Sequence, residues 1–123
     1  MTRPLEGIRV LDMGRIIAGP YCAALLGDLG AEVIKVESID GEDSRQFLPM
    51  KEGVSLYFAA HNRGKKSVTL NMRKDAAKEI FRKLTENSDV VVENFKPGVM
   101  AAMGFDYPKL AAINPRIILP SVS

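Results

Sequence analysis

Short runs of β-branched and aliphatic residues recur along the chain and limit its fold more than any other feature. The segments VVV at 90–92 and IIL at 117–119 are continuously apolar, which is typical of strands buried on both faces of a parallel sheet. Runs of this kind predict five strands, at residues 8–13, 32–36, 67–70, 89–93 and 117–122. A chain with such strands needs covering layers on both sides of its sheet.

Helical patterns between these runs supply the covering layers. Residues 20–29 form a compact apolar stretch followed by Gly30, a typical residue at a helix C-terminus. Residues 75–87 carry apolar and charged side chains on opposite helical faces. Asp106 is placed to cap a short helix carrying Leu110 and Ile113. The alternation predicts an α/β fold with a mainly parallel sheet. Residues 38–54 are predicted to be a surface loop, and residues 55–60 a short helix.

Length and charge narrow the function classes. The 123 residues suit one compact domain, and 46% hydrophobic with 26% charged residues is ordinary for a globular protein. The net charge of +2 is too small to predict nucleic acid or an anionic membrane as the main partner. No apolar run approaches the roughly 18 residues of a membrane span. One cysteine excludes an intramolecular disulfide, so a cytoplasmic protein is expected. An apolar strand reaching the last residues is unusual for an isolated domain.

The first predicted strand-to-helix turn is a candidate ligand-binding segment. Gly14 and Gly19 permit tight or positive-φ backbone, and Pro20 suits a first helical turn. Glu37, at the end of the second strand, lies where dinucleotide-binding folds keep a ribose-binding carboxylate. The glycine spacing is G-x4-G rather than G-x-G-x-x-G, however, so a structural turn is the stronger interpretation and a generic dinucleotide-binding domain the weaker one.

Two further segments contain residue types that are suited to binding a ligand. Residues 61–67 form a basic turn with three cations in four residues, which could meet a phosphate but is more often a solvated loop. His61 is the only histidine, which excludes a histidine-rich metal site within one chain, and Cys22 is predicted to be a small buried hydrophobe. Asn94 and Phe95 follow the fourth strand, at the edge where open α/β sheets bind ligands. A turn with a packing phenylalanine explains these two residues equally well.

Taken in order, four stretches resemble the family III CoA-transferases, which include formyl-CoA transferase, carnitine CoA-transferase and α-methylacyl-CoA racemase. They are PLEGIRVLDMGRIIAGPYCAALLGDLGAEVIKVE, SLYFAAHNRGKKSVTLNM, DVVVENFKPGVMAAMGFDYPKL and INPRIILPSVS. The resemblance implies that residues 1–123 are a CoA-binding, Rossmann-like part of the large domain, with helices on both faces of the sheet. It also implies an interlocked homodimer.

The resemblance also assigns candidate site residues. Leu70, Arg73, Asn94 and Phe95 correspond to residues at the adenine and ribose-phosphate end of a coenzyme A site. The backbone of the first turn borders the thioester end, and its residues are Ile16, Ile17 and Ala18.

Two positions depart from the family pattern at the phosphates. Ser38 and Ala102 stand where some members carry arginine. Lys35, Lys65 and Lys96 are therefore candidates to anchor phosphate in their place.

The implied reaction moves CoA from an acyl-CoA to a carboxylate, without a metal or a redox cofactor. An aspartate attacks the thioester, and main-chain N–H groups stabilise the oxyanion. None of the seven aspartates here matches it, so no catalytic residue is assigned and the chain alone is expected to be inactive. Two alternatives remain: a non-catalytic module or subunit that binds CoA or a nucleotide, and an acyl-CoA racemase of the same family. A fragment of such an enzyme is expected to expose hydrophobic surface and to associate.

Overall fold

A four-stranded parallel sheet is the centre of the protein, as the apolar runs predict. The computed structural model describes residues 2–122. The strands stand in the order β5-β2-β1-β6, and a separate antiparallel hairpin pairs β3 with β4. The strands are β1 (Arg9–Asp12), β2 (Glu32–Glu37), β3 (Met50–Lys51), β4 (Val54–Ser55), β5 (Lys66–Thr69) and β6 (Val90–Val92). The helices are α1 (Ala18–Asp28), α2 (Leu56–Asn62), α3 (Asp75–Glu86), α4 (Val99–Met103) and α5 (Tyr107–Ile113).

Both faces of the sheet are covered at β1 and β6, which explains why these two strands are so apolar, whereas the edge strand β5 is mostly exposed. Adjacent residues of β1 point to opposite sides: Val10 packs in a cluster with Ala23 of α1, and Leu11 packs in a cluster with Phe81 of α3 and Leu110 of α5. Each of these five residues is fully buried. The α/β fold with a parallel sheet is therefore confirmed, and Cys22 lies half-buried against the α1 side of the core.

The predicted fifth strand is only partly correct. Residues 117–122 run parallel to β6 but meet it through two isolated bridges, Val90 with Ile118 and Glu93 with Ser121. Burial on both faces is wrong for this segment, since Ile118 is 61% exposed. Within residues 2–122 no strand pairs with the outer edge of this segment, so part of its apolar surface stays exposed there.

The prediction of a surface loop at 38–54 is also only partly correct: most of these residues are exposed, but the segment contains regular structure. Its middle forms a 3₁₀ helix, Asp43–Gln46, and its end forms the β3–β4 hairpin. Glu52 and Gly53 both have positive φ at the hairpin turn, as a type I′ turn requires. Glu42 is buried in this polar segment because its side chain bonds to backbone elsewhere in the fold. Helix α4, bounded by left-handed Gly98 and Gly104, was not predicted.

The remaining helix predictions hold. Helices α1, α2 and α3 overlap the predicted segments closely. Asp106 caps α5 by accepting a hydrogen bond from the Lys109 amide at 3.3 Å. Gly30 follows α1 with φ +112°, a conformation that only glycine adopts readily. Among residues 2–122, none of the helices combines the length and apolar character that crossing a membrane would take.

Candidate functional site

A cleft of about 830 Å³ lies along the carboxyl ends of the parallel strands. This is the edge at which open α/β sheets bind ligands, because the connecting loops separate there. The chain segments after β1, β2, β5 and β6 all contribute to the cleft. Of the residues assigned by resemblance, it brings together Leu70, Arg73 and Phe95, and Ser38 and Ala102 also line it.

The turn between β1 and α1 forms one wall, and Asn94 holds it. The Asn94 side-chain oxygen accepts from the Arg15 amide at 2.7 Å, and its NH₂ donates to the Arg15 carbonyl at 3.0 Å. Both polar ends of the side chain are thus engaged with backbone. Asn94 is not among the residues that line the cleft, whereas Arg15 is. The structure therefore places Asn94 behind the wall that it supports.

Close approach of backbone explains the two glycines of this turn. A Cβ on Gly14 would lie 2.6 Å from the Gly19 Cα, and a Cβ on Gly19 would lie 2.8 Å from the Asn94 Oδ1. The residue with positive φ is Ile16, at +66°. For a β-branched residue this conformation costs on the order of 1–3 kcal/mol, so the surroundings must hold it in place.

The backbone beyond Ile16 is open. Ile17 and Ala18 are exposed, and neither amide donates to a protein acceptor within residues 2–122. Helix α1 begins at Ala18 with no side-chain cap and no acidic residue in its first turn. Unpartnered amides at the start of a helix attract negative charge. The three residues assigned to the thioester end directly follow Gly14 and Arg15, which line the cleft.

Two of the lysines suggested as phosphate ligands are buried ion-pair partners instead. The Lys65 ammonium is 2.6 Å from an Asp12 carboxylate oxygen and also donates to the Pro20 carbonyl and the Asn62 side chain. The Lys35 ammonium is 3.7 Å from Asp12 and donates to the Gly14 carbonyl at 3.3 Å. Burial lowers the pKa of Lys65, against the opposing effect of Asp12. Neither lysine is available to a ligand in the cleft.

Two further cations of the basic turn, Arg63 and Lys66, also have ion-pair partners, and the third suggested lysine, Lys96, is not among the residues that line the cleft. Arg63 pairs with Asp28 at 2.5 Å, and Lys66 pairs with Glu32 at 2.6 Å. The interpretation of residues 61–67 as a solvated loop is therefore correct for its surface arginine and wrong for buried Lys65. Lys96 is exposed, beside a smaller pocket of about 170 Å³ between Phe95 and residues 121–122.

Glu37 lines the cleft, yet its carboxylate is fully engaged. Arg45 donates to both of its oxygens at 2.7 Å, and the Ser67 hydroxyl and the Glu42 amide donate as well. Burial by itself raises the pKa of Glu37, but the hydrogen bonds from Arg45 and Ser67 outweigh it and lower the pKa to about 2. The hypothesis of a ribose-binding carboxylate at this position is not supported, because no acceptor is left over.

The opposite wall carries charge without internal partners. Arg73 is exposed at the start of the segment leading into α3, and Lys78 faces the cleft from the first turn of that helix. Neither side chain forms an ion pair with any residue from 2 to 122. Sequence reasoning missed Lys78. The signal was available, since the first turn of a helix that follows a parallel strand lies at the carboxyl edge.

Comparisons with known proteins agree on one family. The family model described as CoA-transferase family III matches residues 5–123. A formyl-CoA:oxalate CoA-transferase from Streptomyces avermitilis is 46% identical over 99% of the chain and 30% of its own length. An acetyl-CoA:oxalate CoA-transferase from Acetobacter aceti is 43% identical, over 98% of the chain and 31% of its own length.

Solved structures give the same picture. The crystal structure of a CAIB/BAIF family protein from Brucella suis superposes with a TM-score of 0.93 and 44% identity. The match covers 100% of the chain and 34% of that protein. The chain thus spans about a third of the length of the relatives that it matches.

Proposed function

The chain belongs to CoA-transferase family III, and we propose on that basis that it holds the coenzyme A of an acyl-CoA in the cleft at the carboxyl edge of its sheet. The observation that carries this proposal is the cleft itself, which brings Leu70, Arg73 and Phe95 together from two different loops. A cleft of this volume lies within the usual range for organic ligands.

The nucleotide end belongs at the wall formed by β5 and α3. Arg73 and Lys78 offer two cations for phosphate oxygens, and a guanidinium binds such oxygens through two parallel hydrogen bonds. Phe95, which also packs against the hydrophobic core, contributes an aromatic ring to the cleft lining, and such a ring is suited to stacking on a base. Lys78 adds a cation to Arg73 at this end of the cleft, where Ser38 and Ala102 lack the arginines of some family members.

The thioester end belongs at the β1–α1 turn. The open amides of Ile17 and Ala18 are donors of the kind that stabilise an oxyanion when a nucleophile attacks a carbonyl. The aspartates on the cleft are Asp40 and Asp43, and Asp43 pairs with Arg15. Neither corresponds to the family nucleophile. We therefore propose that this chain binds CoA. The transfer of CoA from an acyl-CoA to a carboxylate depends, in this proposal, on an aspartate that is not one of the seven in this chain.

Calorimetry tests the binding site. We expect CoA to bind and NAD not to bind, since Glu37 has no acceptor for a ribose. Arg73→Ala should weaken CoA binding about tenfold, as expected for one charged hydrogen bond to phosphate. The matched control is Arg116→Ala, which removes an exposed arginine outside the cleft. Equal affinities for CoA in Arg73→Ala and the original chain would contradict the assignment.

An exchange assay tests the missing nucleophile. Purified chain, acyl-CoA and a radiolabelled carboxylate should give no labelled acyl-CoA, although CoA binds. Measurable exchange would show that this chain supplies the nucleophile itself. This result would overturn the proposal that the nucleophile is absent from this chain, but the proposed CoA-binding site would stand.

We also propose that the chain associates through helix α1. Ile17, Tyr21, Leu25 and Leu29 are spaced by four residues, so they form one stripe on the helix, and each is between 44% and 51% exposed. A helix that carries apolar residues on its inner and outer faces is normally covered on both. Sedimentation at micromolar concentration should show dimers or larger species, in line with the homodimer implied by the family. A monodisperse monomer would argue against this.

A further inference from the structure

The wall at the β1–α1 turn is fixed to an unusual degree. Five successive backbone groups, from the Gly14 amide to the Ile16 amide, are bound by side chains from four places in the chain. Asp12 accepts from the Gly14 amide, and Lys35 donates to the Gly14 carbonyl. The amide and carbonyl of Arg15 both pair with Asn94, and the Ile16 amide donates to Glu42. The next two amides, in contrast, are open.

Glu42 is held at both ends of its carboxylate. One oxygen accepts from Ile16, and the Lys35 ammonium lies 3.9 Å from that oxygen. The other oxygen accepts from the Ser44 amide and hydroxyl. The residue is 6% exposed, so water does not replace these contacts. Glu42 therefore ties the β2 side of the cleft to a turn 26 residues earlier.

The Ile16 contact occurs at the one residue of the turn with a strained backbone. A left-handed Ile16 relaxes toward negative φ unless its amide is retained, and such a rotation would redirect the peptide groups that follow it. We propose that Glu42 is a positioning residue, which holds Ile16 left-handed so that the Ile17 and Ala18 amides face the acyl group of a bound acyl-CoA. This inference rests on the proposed function, since it assigns the acyl group to this end of the cleft.

A merely structural role for Glu42 makes a different prediction. If the carboxylate only stabilised the fold, its loss would weaken binding of every ligand in the cleft, or of none. A positioning role affects one end only. Adenosine 3′,5′-bisphosphate, which has the base, the ribose and two of the three phosphates of CoA, reports on the Arg73 wall, whereas acetyl-CoA reports on both walls. Comparing the two ligands therefore separates the roles.

The experiment uses Glu42→Gln, which keeps the size of the side chain but has one acceptor oxygen for the two sets of donors. Glu32→Gln is the matched control, because it removes a carboxylate at the start of β2, whereas Glu42 follows the end of that strand. Ser44→Ala is a milder variant that leaves the turn untouched and removes one hydrogen bond orienting Glu42. For each variant we would record amide spectra by NMR and titrate both ligands.

We expect Glu42→Gln to shift the amide signals of Ile16, Ile17 and Ala18 and to weaken acetyl-CoA binding about tenfold, with the bisphosphate affected less than twofold. Ser44→Ala should change both quantities in the same direction by a smaller factor, and Glu32→Gln should change neither. Unchanged acetyl-CoA affinity in Glu42→Gln, or equal weakening of both ligands, would overturn the inference. If the original chain binds neither ligand, the proposed function fails, and the amide signals alone show whether Glu42 sets the turn.

Discussion

The two walls of the cleft differ in how the protein holds them. On the β1–α1 side, side chains bind the backbone at every polar group from the Gly14 amide to the Ile16 amide. On the β5–α3 side, Arg73 and Lys78 reach into the cleft with no ion-pair partner among the described residues. One wall is fixed by buried charge and hydrogen bonds, and the other is a solvated charged edge.

The difference matches what each end of a long ligand requires. Stabilising a developing charge depends on donors fixed within fractions of an ångström, so a pre-organised backbone is useful there. Attracting phosphate depends mainly on charge, which a mobile cation supplies at little cost to the fold. Substitutions that remove the buried charges of the fixed wall should therefore affect stability strongly, whereas substitutions on the charged edge should affect binding alone.

The largest effect is expected for Asp12→Asn. Asp12 is fully buried, and it pairs with Lys65, whose side chain is 2% exposed. Removing the carboxylate charge leaves a buried ammonium without its counter-ion, which should lower the free energy of unfolding by about 3–5 kcal/mol. Urea denaturation measures this loss. Asp28→Asn, which breaks the half-exposed pair with Arg63, should cost less than about 1 kcal/mol. Similar losses in both variants would show that the buried ion pair of the β1–α1 wall contributes no more to stability than an exposed pair does.

Acid should weaken the fold through Glu37. Its pKa falls from the ordinary 4.5 to about 2 in the folded protein, so its stabilising contribution is complete above about pH 4.5 and is lost as the pH drops toward 2. Urea midpoints measured from neutral pH downward should decline across this window. Glu37→Gln should lower the midpoint at neutral pH and flatten the decline, because the ionised form that Arg45 stabilises no longer exists.

The control for this pH dependence is Glu79→Gln, on the exposed face of α3. Glu79 pairs with Arg82 at the surface, where water screens the interaction. Its curve should nearly overlay that of the original chain. A decline that persists in Glu37→Gln would assign the acid sensitivity to other carboxylates.

Local patterns predict the parts of the fold that local forces determine. The run at 90–92 predicts β6, and the apolar face of residues 75–87 predicts α3, because strand and helix periodicities differ in ways that a short window shows. The placement of Arg73 and Phe95 on one cleft follows from the rule that parallel strands end at a common edge. The resemblance to a family indicates which residues at that edge are candidates to contact a ligand.

The fixed wall could not be predicted in the same way. Glu42 and Arg45 lie in a polar segment, and polar segments are usually solvated. The burial of Glu42 depends on an amide 26 residues away, and the position of Arg45 depends on Glu37. The sequence suggests Lys35 and Lys65 as phosphate ligands because a charged side chain looks free until its partner is located. The partners in such pairs lie far apart in the sequence, so no periodic pattern of residues reveals them.

The smallest effect is expected for Ile16→Gly. Glycine adopts φ +66° without strain, which should recover part of the 1–3 kcal/mol that isoleucine costs there, while its greater freedom in the unfolded chain offsets about 0.5–1 kcal/mol. Ile16 is 40% exposed, so truncating its side chain also gives up about 1–2 kcal/mol of apolar burial. The free energy of unfolding should therefore change by less than about 1 kcal/mol in urea denaturation. Ile118→Gly removes a more exposed side chain, has no positive φ to relieve, and should lower the free energy of unfolding by about 1–2 kcal/mol. A larger loss of stability in Ile16→Gly than in Ile118→Gly would mean that packing of the side chain, and not Glu42, selects the left-handed turn.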